Sequence, residues 1–93
     1  MAVSIRIPTI LRTYTDGASE VTVEPSTPTL AGVIDALEAA APGISARVLD
    51  ESGQLRRFVN IYVDEDDVRF TDGLATPVGE KASVSIIPAV AGG

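Results

Sequence analysis

The chain opens on a period of two. In VSIRIP, Val3, Ile5 and Ile7 alternate with Ser4 and Arg6 before Pro8 closes the run, which is the pattern of a half-buried strand ended by a residue with no N–H. EVTVEP repeats it, with Val21 and Val23 between polar neighbours and Pro25 as the stop. The two runs flank a loop carrying TDG and are expected to pair as a long-loop hairpin. The period then changes. In TPTLAGVIDALEAAAPG, Leu30, Val33, Ile34 and Leu37 fall on one helical face. Thr27 is the expected cap, with Pro28 at the first helical position and Pro42-Gly43 as the stop. Gly32 lies inside this helix at a cost of about 1 kcal/mol relative to alanine, and a close approach to the sheet is the expected reason.

The rest of the chain returns to short alternating runs. GISARVLDESGQLRR reads as a connector, one helical turn from Ile44 to Leu49 and a polar loop from Asp50 to Gln54. RFVNIYVDEDDVRF predicts a strand from Phe58 to Val63, a tight acidic turn, and a short returning strand at Val68 to Phe70. After the turn-rich TDGLATPVGEKA comes SVSIIP, with Val84 and Ile86 on one face and Ser85 and Ile87 on the other. Pro88 cannot donate to a ladder, so pairing should finish near Ile87 and release Ala89 to Gly93. The order of strand, strand, helix, strand, short strand, strand puts one main helix on one face of a mixed sheet of four to five strands. That is an α+β roll of the ubiquitin (β-grasp) kind, expected over residues 1–88, with 89–93 as a C-terminal tail ending in Gly-Gly.

Composition narrows what such a domain can do. With 93 residues it is one domain with a single modest core. A formal charge of −6 makes a nucleic-acid partner unfavourable and a basic protein surface attractive. Histidine and cysteine are both absent, which leaves no disulfide, no sign of an oxidising compartment, and no nucleophile beside a general base. The chain is therefore not expected to be an enzyme by itself. The acidic run Asp64 to Asp67 lacks the spaced ligands and central glycine of a calcium loop, so it is read as a solvated turn and no metal is expected. No segment approaches the ~20 apolar residues that cross a bilayer, and the start of the chain lacks the pattern of a secretory signal. A cytoplasmic protein without membrane contact is expected.

The last five residues, AVAGG, carry the chemistry that remains. An α-carboxylate has a pKa of about 3.3–3.7, so it is ionised at neutral pH and can act as a nucleophile toward the α-phosphate of ATP. Five residues extend about 16–18 Å, enough to reach into another protein's nucleotide site. Glycine at positions 92 and 93 removes side chains that would meet the walls of a narrow channel. An ordinary frayed terminus is the alternative reading. On the sheet face away from the helix, Ile87, Tyr62 and Phe58, with Arg6 beside them, form a candidate docking patch near the tail's root. Scattered surface apolar residues fit the same pattern.

IPTILR, TLAGVIDALEAAAPGISARVLD and RFVNIYVDEDDVRFTDGLATPVGEKASVSIIPAVAGG together give the chain its family likeness. It resembles the MoaD/ThiS family of ubiquitin-like sulfur carriers over nearly its whole length. FVNIYVDEDDVRF with IIPAVAGG is most similar to the CysO type of that family, which serves cysteine biosynthesis. The resemblance implies that Gly93 is adenylated by an E1-like (MoeB/ThiF-type) activating enzyme using ATP and is then converted to a thiocarboxylate. Val90, Ala91 and Gly92 would lie in that enzyme's channel. It further implies a PLP-dependent cysteine synthase as sulfur acceptor and a zinc metalloprotease that releases cysteine, with no cofactor bound by this chain. A small subunit of molybdopterin synthase and a ubiquitin-like protein modifier are the alternatives.

Overall fold

The computed structural model of the chain describes residues 2–88. Five strands form one mixed sheet: β1 (Val3–Arg6), β2 (Glu20–Val23), β3 (Val59–Val63), β4 (Asp66–Asp67) and β5 (Ser83–Pro88), in the spatial order β2-β1-β5-β3-β4. β1 and β5 run parallel at the centre, and every other neighbour is antiparallel. The long helix α1 (Leu30–Ala40) covers one face, with the single turn α2 (Ser45–Val48) at its end. This is the β-grasp arrangement that the alternating runs predict, and the pairing of β1 with β2 is the expected hairpin.

The core follows from the two periods. Val3, Ile5, Ile61, Val84 and Ile86 point from the sheet toward Leu30, Val33, Ile34 and Leu37 of α1, and all are buried. Ile44 and Val48 close the end of the helix, and Val68 and Val78 fill the far side. Each such side chain contributes about 1.5–3 kcal/mol when fully buried.

Several boundaries differ from the sequence reading, each for a local reason. The helix cap is Thr29, not Thr27: its hydroxyl accepts from the Gly32 N–H at 3.3 Å. Pro28 therefore lies before the helix, where its carbonyl accepts from Val78 N–H at 2.9 Å. Gly32 is indeed a close-approach position, but the neighbour is not the sheet. A Cβ there would stand 2.3 Å from the Thr27 carbonyl oxygen, because the chain folds back over its own first turn. The returning strand is Asp66–Asp67, opposite Val63 and Tyr62, and Val68–Phe70 is a 3₁₀ turn instead. A two-residue turn of Asp64 and Glu65 suffices because Asp64 adopts φ 58°, a left-handed conformation that aspartate tolerates. Two members of the acidic run also have structural roles. Asp64 accepts from Ser83 N–H at 3.1 Å, and Asp67 caps the 3₁₀ turn through Arg69 N–H at 2.9 Å.

Two more corrections bear on the site. β3 begins at Val59, leaving Phe58 in the preceding turn, and β5 runs through Pro88, which stands opposite Val59. The segment after β1 is no simple loop: Thr9–Tyr14 forms a 3₁₀ helix that buries Leu11 against the core.

Beyond α1, carboxylates hold the connector. Glu38 accepts from Gly43 N–H at 2.8 Å and Ser45 N–H at 2.9 Å, and Asp50 accepts from the Ser52 hydroxyl at 2.7 Å and Gln54 N–H at 3.0 Å. The Gly43 bond, then Ser45, lowers the Glu38 pKa, and the Ser52 hydroxyl, then Gln54, lowers that of Asp50.

Two outcomes follow for stability. Gly32→Ala should destabilise by about 1–3 kcal/mol through overpacking against Thr27, despite the helix-favouring side chain, as read by urea unfolding. Glu38 and Asp50 have depressed folded-state pKa values, so their contribution is present above the unfolded carboxylate range and is lost as pH falls below about 4.3. Urea midpoints measured from pH 7 to 3 should fall, and fall less steeply in Glu38→Gln.

Candidate functional site

Register decides which side chains share the open face of the sheet. Glu20, Arg6, Ser85, Tyr62 and Asp67 stand opposite one another across all five strands. The neighbouring row pairs Ile87 with Asn60. Arg6, Tyr62 and Ile87 thus lie on one face, as the alternation predicts. Ile87 is 48% exposed and Phe58 62% exposed, while Tyr62 is half-buried. Arg6 and Tyr62 are two strands apart, about 9–10 Å, with Ser85 between them. Phe58 lies beyond the paired part of β3.

What the fold does bring together is Arg6, Ile87 and a residue that sequence reasoning missed. An open groove of about 710 Å³ lies where β1 and β5 part company, lined by Arg6, Pro8, Arg12, Ser85, Ile87 and Pro88 among others. Pro8 turns the chain out of the sheet into the 3₁₀ helix Thr9–Tyr14, which carries Arg12 to the groove. The Arg12 Nε donates to the Ile7 carbonyl at 3.2 Å, which fixes the side chain against the end of β1. The spacing of Pro8 and buried Leu11, one turn apart, was the available signal for this helix.

The electrostatics of this end oppose the net charge. Arg6 and Arg12 line the groove, and Arg56 and Arg57 lead into β3 opposite the end of β5. Arg69 reaches back to the same place. Its guanidinium donates to the Arg56 carbonyl at 2.7 Å, to the Arg57 carbonyl at 3.1 Å and to Asn60 Oδ1. Arg6, Arg12 and Arg69 thus place their side chains toward the end of β5, with the single carboxylate of Glu20 in the groove lining, while Arg56 turns its own to the Ala46 carbonyl at 3.0 Å. The acidic hairpin Asp64 to Asp67 lies at the opposite end of β5, beside Ser83. Net charge alone does not show this separation, because it depends on strand direction.

Val90, Ala91, Gly92 and Gly93, the residues expected to enter a partner and react there, lie outside the described residues. Among the described residues no group of three or more acidic side chains is placed to hold a metal ion, and no helix is long and apolar enough to cross a membrane.

Comparison with known proteins agrees with the β-grasp fold. The ThiS family pattern matches residues 5–93. The sulfur carrier protein CysO of Mycobacterium tuberculosis is 54% identical over 95 residues, spanning the whole of both chains. Its crystal structure superposes with a TM-score of 0.86, covering 95% of this chain and 99% of that one at 52% identity. The Amycolatopsis orientalis BexX/CysO complex contains a chain with a TM-score of 0.88 and 45% identity, covering 98% of this chain and 99% of its own.

The two faces of β5 provide a direct test. Ile86 is 4% exposed, so Ile86→Asp should bury an unpaired carboxylate and unfold the domain, whereas Ile87→Asp should change stability by only about 0.5 kcal/mol. Thermal melts of both variants measure the difference. Tyr62→Asp is a poorer probe, since it sets a like charge opposite Asp67.

Proposed function

The chain belongs to the ThiS family, and from that membership we propose that it is a sulfur carrier of the CysO kind, loaded at the C-terminal carboxyl of Gly93. The observation that carries this reading is the family match running to residue 93, five residues past the end of β5 at Pro88. Fully extended, those residues span about 16–18 Å.

The chemistry needs little from the carrier itself. At neutral pH the terminal carboxylate is ionised. One of its oxygens attacks the α-phosphorus of ATP in an E1-like (MoeB/ThiF-type) activating enzyme, a P–O bond forms, and pyrophosphate leaves. The product is an acyl-adenylate. Sulfide attacks the acyl carbon, and AMP departs to leave a thiocarboxylate; a persulfide attacking there instead leaves an acyl disulfide, which a second thiol reduces to the thiocarboxylate while forming a disulfide with the persulfide's inner sulfur. The chain is then a cosubstrate in the cytoplasm rather than a catalyst. ATP and PLP belong to its partners: the sulfur acceptor is a PLP-dependent cysteine synthase, and a zinc metalloprotease frees the cysteine from the carrier.

Within this reading Gly93 supplies the reacting atom, and Val90, Ala91 and Gly92 occupy the channel that leads to it. Intact mass of the protein from its native host should show a fraction with one oxygen replaced by sulfur, localised to Gly93. A terminus always ending in an unmodified carboxylate, under sulfur-replete and sulfur-starved growth alike, would overturn the assignment.

Register at the terminus gives a sharper outcome. One appended alanine moves the carboxylate by about 3.3–3.6 Å, where roughly 1 Å of misplacement can cost a hundredfold in rate. ATP–pyrophosphate exchange should fall at least a hundredfold, with the thermal midpoint unchanged. Gly92→Val keeps the register but adds a branched side chain and restricts the backbone, so it should impair exchange while leaving stability intact.

A further inference from the structure

The end of β5 has one flank that the fold leaves open. Along Ser83 to Ser85, β5 is paired with β1 on one side and β3 on the other. From Ile86 to Pro88 only the β3 side is paired. Bonding direction alternates along a strand, and Ser83 exchanges with Asp64 on the β3 side while the Ala82 carbonyl accepts from Ser4 N–H on the β1 side. The carbonyls of Ile86 and Pro88 therefore face the β1 side. The residue that continues β1 there is Pro8, which has no N–H to offer. The flank thus presents backbone acceptors, and the same groove is lined by the guanidinium groups of Arg6 and Arg12 and by one carboxylate, Glu20, opposite Arg6, so two cations outnumber one anion there.

Acceptors along an edge and cations beside it define the complement. An extended peptide segment supplies backbone N–H donors at strand spacing, and acidic side chains on it meet the two arginines. Because Ile87 and Pro88 line the groove and lead directly into the last five residues, an enzyme that draws those residues in must also cover the groove. We propose that the groove seats an extended, acidic segment of the activating enzyme, hydrogen-bonded along the free flank of Ile86 to Pro88 and paired in charge with Arg6 and Arg12. This rests on the adenylation of Gly93 proposed above and adds the partner's chemistry at the docking surface. It also refines the expectation from net charge: a basic partner surface suits the acidic far end, and an acidic one suits this end.

The test is ATP–pyrophosphate exchange by the activating enzyme as a function of carrier concentration, using the full-length chain. The double variant Arg6→Gln/Arg12→Gln should raise the carrier KM about tenfold, with a smaller salt dependence than the parent. Arg6→Lys/Arg12→Lys keeps both charges but removes the Arg12 bond to Ile7, and its KM should stay within threefold of the parent. Lys81→Asn removes one positive charge at the far end of β5, at a φ of 61° that asparagine accepts, and should leave KM unchanged. Parent-like KM in the glutamine variant overturns the proposal while Gly93 adenylation stands. So does an equal rise from Lys81→Asn, which would mean that only total charge matters, or an equal rise in the lysine variant, which would assign Arg12 a structural role. Absence of exchange with the parent carrier removes the Gly93 reading and this proposal with it.

Discussion

A proline nitrogen carries no hydrogen, and two prolines stand where the two central strands of this sheet end. Pro8 prevents β1 from continuing beside β5, and Pro88, opposite Val59, offers no N–H to the same open flank. The central strand of the fold is therefore fully paired in its first half and paired on one flank only at its end. The groove and the position of Arg12 depend on those missing donors. A residue with an N–H at position 8 would allow one more rung between β1 and β5 and would close the flank.

The core tolerates this because its energy lies elsewhere. The parallel pair β1 and β5 presents Ile5, Val84 and Ile86 to α1, and these side chains are buried whether or not the last rung forms. On the opposite face, Arg6, Ser85 and Ile87 have no helix above them and are available to a partner. One strand thus serves two purposes through the alternation of its side chains.

Much of this was legible in the sequence, and the misses have a common cause. Val3, Ile5 and Ile7, the face of α1, and Val84 with Ile86 were readable because burial imposes a period on neighbours along the chain. Features set by contacts distant in sequence were not. Thr27 and Thr29 are equally good caps on paper. Thr29 is chosen by the pairing of Thr29 with Pro77 and by the Leu30 N–H bond to the Thr76 carbonyl. Val68–Phe70 alternates as a strand would, yet Asp67 caps a 3₁₀ turn there and Val68 is buried while Phe70 is 87% exposed. Of the candidate docking residues, Arg6 and Ile87 meet in the groove, and Arg12 joins them only through the fold of Thr9–Tyr14.

The parallel pairing of β1 with β5 also has a mechanical consequence. β1 begins near the start of the chain and β5 leads to its end, and they run side by side in the same direction. A force drawing the two termini apart loads their hydrogen bonds in shear, across every rung at once, rather than peeling them one by one as in a hairpin pulled from its open end. β3, antiparallel on the other flank of β5, braces the strand under the same load. An enzyme that tugs on the terminal residues, or a protease that must unravel the domain from that end, works against rungs loaded in shear on both flanks of β5.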